Sequence, residues 1–214
     1  MLKVYGASIS PFVRKVLLTL EYKGLSYEQV PTSPFAPTAD FLAKSPLKKI
    51  PVLDHDDFSI PDSSIICRYL EEAFPAQPFY PASVQDRARA AWIEEYADTK
   101  LLEIMAGYFF ERIVKPNFLK QQPDEARIAN AAAQAPAVMA YLESIVPATG
   151  FLFGTLTIAD ASITSMLLNG QYGGYTIDAA QAPKLAAFFA RVVATPVFVA
   201  RLAKERMEMP GISR

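Results

Sequence analysis

The chain has 214 residues, 51% of them hydrophobic, and a formal net charge of −1. That composition belongs to a globular protein of one large or two modest domains and excludes a disordered tail. Without a Lys/Arg block there is no electrostatic footprint for nucleic acid. No apolar run reaches the roughly 18 residues of a membrane span, and "MLKVYGAS" reads as a strand rather than a secretory signal, so a cytoplasmic protein is expected. One cysteine, Cys67, cannot make an internal disulfide, and with one histidine, His55, it leaves a zinc site short of ligands, so no metal is expected.

Apolar and polar residues alternate from Leu2 to about Tyr5, which predicts a first strand. A helix follows, with Phe12, Val13, Val16, Leu17 and Leu20 on one face and Arg14, Lys15, Thr19 and Glu21 on the other. Ser10 suits its N-cap, Pro11 its first position and Gly24 the place just past its end. "LSYEQV" at 25 to 30 alternates again and completes a β-α-β unit. A looser segment leads to strands at 51 to 54 and 58 to 60 around an acidic turn, a hairpin. Ile65, Ile66, Tyr69, Leu70 and Phe74 mark a helix that stops at Pro75. The proline-punctuated "FPAQPFYPAS" reads as a linker, dividing the chain into a domain at 1–76, a linker at 77–85 and a second domain at 86–214. There the pattern predicts helices at about 86 to 115, 124 to 146, 158 to 169, 184 to 194 and 196 to 206, a helical bundle. "NGQYGGY" at 169 to 175 has no P-loop lysine and reads as an interhelical loop.

Four motifs occur in order along this frame: "SPFVRKV" opening the first helix, "KKIPVL" opening the third strand, "DSSIICRYLEE" on the next helix and "TIADASI" in the second domain. With these the chain resembles the cytosolic glutathione S-transferase family over essentially its whole length. The resemblance implies an N-terminal thioredoxin-like domain in the order βαβ-α-ββα followed by an all-helical C-terminal domain. It also implies glutathione as co-substrate, a small hydrophobic electrophile as its partner, and a homodimer.

Ser-Pro-Phe-Val at 10 to 13 stands where glutaredoxins carry Cys-Pro-x-Cys and omega-type transferases Cys-Pro-Phe. With sulfur at neither end, thiol–disulfide exchange by the usual route is closed. The pattern is similar to serine-type transferases of the tau, theta and zeta classes, which implies that the Ser10 hydroxyl donates to the sulfur of bound glutathione. Ser8 and Tyr5 are rival hydroxyls, and the Pro-Phe context favours Ser10. In "KKIPVL", Pro51 at a strand start permits a simple strand opening or a cis bond. The resemblance implies the cis form, with the Ile50 backbone pairing with the cysteinyl unit and Lys49 meeting the glycyl carboxylate; Lys44 and Lys48 are alternatives to Lys49.

Asp62 and Ser63 look like helix-capping residues. A carboxylate and a hydroxyl beside free N–H groups also suit a γ-glutamyl unit. Relatives carry Glu-Ser here, so Asp62 is one methylene shorter than that pattern. Thr157-x-x-Asp160 reads as a capping box, which is folding chemistry. The second substrate is expected between the domains, near Met105, Tyr108, Phe109, Arg112 and Tyr172, although Met and aromatics at helical spacing equally suit a core. Two other readings stay open: another glutathione-dependent enzyme (an isomerase, dehalogenase or peroxidase), or a non-catalytic interaction module like the stringent starvation proteins.

Overall fold

The computed structural model describes residues 1–209, 211 and 212. The first part is a four-stranded sheet in the order β2-β1-β3-β4, built from β1 (Leu2–Tyr5), β2 (Tyr27–Val30), β3 (Val52–His55) and β4 (Phe58–Pro61). β1 runs parallel to β2, as the crossover helix between them demands, and antiparallel to β3; β3 and β4 form the hairpin. Three helices accompany the sheet: α1 (Pro11–Tyr22), α2 (Ala39–Lys44) and α3 (Ser63–Ala73). This is the βαβ-α-ββα order of a thioredoxin-like domain. α2 lies in the looser segment, too short at six residues to show a helical period, and is started by the Thr38 side chain accepting from Phe41 N–H.

A helical domain follows, with α4 (Val84–Tyr96), α5 (Leu102–Phe109), α6 (Glu125–Ile145), α7 (Ile158–Tyr172), α8 (Pro183–Val193) and α9 (Pro196–Glu208). The helix expected over 86 to 115 is interrupted. Its ladder widens to π turns over Ala97–Leu101 and Phe110–Leu119, on either side of α5. The second of these holds Pro116 and ends at Lys120 in the left-handed region (φ 56°). α7 also runs further than expected, through Asn169 to Tyr172. The glycines in "NGQYGGY" are not simply breakers. A Cβ on Gly170 would lie 2.1 Å from Met105 Sδ, and one on Gly173 would lie 2.4 Å from the Tyr108 backbone, so both residues let α7 and α5 approach closely.

The start of α7 is held by the expected capping box. Asp160, fully buried, accepts from Thr157 N–H (2.8 Å), the Thr157 hydroxyl (2.7 Å) and Leu152 N–H (2.9 Å). Burial raises its carboxyl above the ordinary range, against the lowering effect of those donors.

α1 is the element shared by the two domains. Its apolar residues Val13, Val16, Leu17 and Leu20 are fully buried, and so are Arg14, Lys15 and Thr19 on the opposite face. The amphipathic pattern is real, but its polar side is packed inside the molecule rather than facing water, Arg14 against α7 and α9, Lys15 against α4 and the turns after it, and Thr19 against Cys67 of α3. Those charges are paired: Lys15 Nζ lies 2.9 Å from Glu94 and 2.5 Å from Asp98, and Arg14 Nε 2.8 Å from Glu205. Among the described residues no single helix is long and apolar enough to cross a membrane, and α8 with α9 passes only as a pair bent by 74°.

Candidate active site

Strand register sets the geometry of the site. Tyr5, the last residue of β1, pairs with Val52, the first of β3, and Val52 pairs with Pro61, the last of β4. Three loops therefore leave the sheet side by side at one end: the loop to Ser10, the approach through Lys49, Ile50 and Pro51, and the step into α3 at Asp62 and Ser63. Gly6 shows how closely two of them meet. A Cβ built there would lie 2.5 Å from Val13 Cγ2 and 3.4 Å from Ile50 Cβ.

Ser10 is half-buried and takes the N-cap position of α1 with extended backbone (φ −66°, ψ 127°). Its Oγ accepts from Val13 N–H at 3.5 Å, beyond the 2.7–3.2 Å of an ordinary N–H···O bond. The hydroxyl is thus only weakly engaged as a cap. Its rivals are committed elsewhere. Tyr5 Oη donates to Asp54 Oδ2 (2.8 Å) and accepts from Lys44 Nζ (3.2 Å), while Ser8 is 1% exposed and bonded to Gln29. Lys44 is likewise held by Asp54 at 2.5 Å.

The Ile50–Pro51 peptide is cis. The turn before it places Lys48 at φ 56° and is pinched by Ser45, whose hydroxyl donates to the Lys49 carbonyl (2.8 Å) and accepts from Lys49 N–H (3.1 Å). The Lys49 side chain is exposed, Ile50 half-buried and Pro51 buried. Ser45 escaped the sequence reading because a lone serine after a short helix carries no spacing signal.

Asp62 sits at φ 77°, a conformation that non-glycine residues rarely adopt and that costs on the order of 1–3 kcal/mol. From there one oxygen, Oδ1, accepts from both Ser64 N–H (3.0 Å) and Ile65 N–H (3.2 Å), and the carboxylate remains exposed. Ser63 beside it is buried. The neighbouring Ser64 hydroxyl meets Asp98 (3.1 Å) and accepts from Lys15 (3.0 Å). Burial raises the Asp98 carboxyl, and Lys15 opposes it.

The expected substrate-pocket residues do not form one wall. Tyr108 lies against Tyr175 (centroids 5.2 Å apart) and beneath Arg112 (6.0 Å), whose Nη1 donates to the Gly173 carbonyl (3.2 Å). Phe109 is half-buried nearby on α5. Met105 is 1% exposed and belongs to the seam between α5 and α7. Tyr172 donates its hydroxyl to Glu205 (2.9 Å), with its ring under Arg14. Tyr175, which sequence reasoning missed, joins Tyr108 and Arg112; burial and its neighbours Tyr108 and Asp178 push its phenol up to about 12. A groove of about 1170 Å³ lies elsewhere, along Tyr22, Leu25, Tyr27, Val197 and Arg201, and includes none of the predicted site residues.

Cys67 is fully buried against Thr19, and burial pushes its thiol up to about 12, far from a reactive thiolate. His55 shares a 2.6 Å hydrogen bond between Nδ1 and the Tyr69 hydroxyl. Among the described residues no group of three His, Cys, Asp or Glu side chains is gathered as for a metal ion.

Sheet order, crossover and appended helices define a thioredoxin-like domain carrying a helical domain. Residues 4–78 match the glutathione S-transferase N-terminal domain and residues 108–205 the glutathione S-transferase C-terminal domain. The chain belongs to the glutathione S-transferase family. It is similar to "Glutathione S-transferase 1" of Dianthus caryophyllus, 39% identical over 90 residues that make up 41% of each chain. It is also similar to "Glutathione transferase GST 23" of Zea mays, 36% identical over 100 residues, 46% of this chain and 45% of that one. The chain thus spans about half the length, or less, of the curated relatives it matches. Solved structures align more fully. A glutathione S-transferase from Rhodospirillum rubrum superposes with a TM-score of 0.85 at 27% identity, over 94% of this chain and 92% of that one. A tau-class enzyme from mango gives 0.76 at 26% identity, over 94% and 91%.

Proposed function

We propose that this protein is a glutathione transferase in which the Ser10 hydroxyl donates to the sulfur of bound glutathione and holds it as the thiolate. The observation that carries the reading is the register Tyr5–Val52–Pro61, because it gathers a weakly engaged hydroxyl, an exposed lysine and an exposed capping carboxylate at one end of the sheet. In this reading Ile50, ahead of the cis Pro51, lends its backbone to the cysteinyl unit as an added strand. Lys49 meets the glycyl carboxylate. Asp62 meets the γ-glutamyl ammonium, and Ser63 with the start of α3 takes the γ-glutamyl carboxylate.

A thiol of pKa about 8.5 is only a few per cent ionised at neutral pH, and each unit of lowering requires about 1.4 kcal/mol of preferential thiolate stabilisation. The hydroxyl donor and the positive end of α1 supply interactions of that kind. The thiolate then forms a carbon–sulfur bond to an apolar electrophile lying toward Tyr108, Phe109 and Arg112, and the displaced electron pair leaves with the leaving group or enters the acceptor. The proposed division is a glutathione-binding domain at 1–76, a linker at 77–85 and a helical domain at 86–214, assembled as a homodimer.

The test is an ultraviolet titration of the thiol of bound glutathione, with Ser10→Ala for comparison. The expected result is ionisation at least about one pH unit lower on the wild type than in free glutathione, a tenfold effect, abolished in Ser10→Ala. If glutathione does not bind, or binds with an unshifted thiol, the transferase reading falls in favour of a non-catalytic module.

A further inference from the structure

The loop that delivers Ser10 is gripped from behind at each of the three residues before it. Ser10 N–H donates to the Ala7 carbonyl at 3.0 Å. The buried Ser8 hydroxyl accepts from Gln29 Nε2 at 2.8 Å and Arg201 Nη2 at 3.5 Å. The Ile9 carbonyl uses both its lone pairs, accepting from Asn169 Nδ2 at 2.9 Å and Arg14 Nη2 at 3.4 Å.

These last two donors belong to one buried cluster. Arg14 is fully buried, and its five N–H donors each have an acceptor: Glu205 Oε2 for Nε, Glu205 Oε1 and the Ile9 carbonyl for Nη2, Asn169 Oδ1 and the Ser165 carbonyl for Nη1. The 2.6 Å contact from Arg14 to Asn169 Oδ1 decides which way that amide faces, so its NH₂ group must point at Ile9. Glu205, from α9, is further held by the Tyr172 hydroxyl. Two helices, α1 and α7, thus converge on one carbonyl oxygen, and α9 holds the Arg14 guanidinium in place through Glu205.

The Ile9–Ser10 peptide is a single plane, so a carbonyl held on one edge and an N–H held on the other fix its orientation. On the far side of Ser10, Pro11 restricts ψ. Between these constraints the direction of the Ser10 Cα–Cβ bond is set, and the rotation about it, barely held by the 3.5 Å cap, is what remains for a ligand to decide.

We propose that Asn169 and Arg14 are positioning residues for Ser10, and that the Arg14–Asn169–Glu205 cluster at the domain seam fixes the direction in which that hydroxyl points. This rests on the reading of Ser10 as the donor to the glutathione sulfur. Stability alone does not call for such a cluster, because a buried ion pair gives no more than a well-packed apolar seam. An apolar seam would leave the Ile9 carbonyl without its donors.

The discriminating variant is Asn169→Asp, which keeps an oxygen for Arg14 and removes the N–H that Ile9 accepts. The expected result is an affinity for glutathione within about twofold of wild type, a bound thiol whose pKa rises by about one unit, and a kcat lower by about tenfold. Faster hydrogen exchange at Ser10 N–H should accompany it, with thermal unfolding still cooperative. Arg14→Lys, which keeps the charge and loses the fork, should shift the thiol the same way and carries the comparison if Asn169→Asp does not fold. A thiol pKa and kcat equal to wild type in a folded variant would overturn the positioning role alone. A wild-type protein that leaves the thiol unshifted would overturn the donor role of Ser10, and this proposal with it.

Discussion

Gly6 sits where the end of β1, the first turn of α1 and the turn before β3 come within van der Waals reach of one another. At φ 154°, with Val13 Cγ2 only 2.5 Å from where a Cβ would stand, it is required by the close approach and by its backbone conformation. Gly6→Ala should force Val13 or the Ile50 turn outward and destabilise the fold by about 1–3 kcal/mol, the usual cost of overpacking, measured as a lower midpoint in urea. Weaker glutathione binding should accompany that loss, since Val13 lies in the turn of α1 that Ser10 caps and Ile50 in the approach to the cis Pro51. Legibility at this scale divides along local and long-range lines. Ser10, Pro11, Asp62 and Thr157 announce themselves because capping is a contact between a residue and its own next turn. The fates of Met105 and Tyr172 are decided by helices far away in sequence, and a methionine or tyrosine on α5 or α7 looks the same whether it faces a cleft or a seam.

α2 is the element most dependent on side-chain fastening, since its six residues bury only Phe41 as an apolar anchor. Its last residue, Lys44, ties it to β3 through Asp54, which also accepts from Tyr5 and Ser59. Burial pushes the Asp54 carboxyl up, but the donors from Lys44, Ser59 and Tyr5 outweigh it and hold the group below its ordinary value of 3.8. The sign of the pH effect follows from that direction. With the folded value below the unfolded one, the stabilisation is complete above about pH 4 and is lost as pH falls through the folded value. Urea unfolding of wild type and Asp54→Asn from pH 6 to pH 2 should therefore show a stability gap that is widest near neutrality and closes toward acid. A gap independent of pH would mean that the charge on Asp54 is not what secures α2. The same scale explains what the sequence reading missed in α1. Periodicity distinguishes apolar from polar faces but not which solvent a polar face meets, and here that face meets Glu205, Glu94 and Asp98 instead of water.

Across the whole molecule, the partner of Arg14 lies 191 residues away, and no local pattern encodes that distance. The order of elements and the bundle were legible because each rests on short-range periodicity, whereas the seam rests on complementary buried charges that only folding brings together. The proposed homodimer needs a surface for the second copy to cover. β4 is an edge strand, and Phe58 on it and Ile65 on the following α3 leave 47% and 45% of their area exposed. An uncovered edge strand with apolar side chains is a place where proteins pair. In a two-fold dimer each such residue acts on both subunits, so one charge introduced there is introduced twice. Sedimentation equilibrium at micromolar concentration should give a species of twice the 23.6 kDa chain mass, and Phe58→Glu should shift it toward the single-chain mass while the far-ultraviolet circular dichroism stays native. A wild type that sediments as one chain would remove the dimer from the proposal. A dimer indifferent to Phe58→Glu would move the interface off the β4 edge to another face of the molecule.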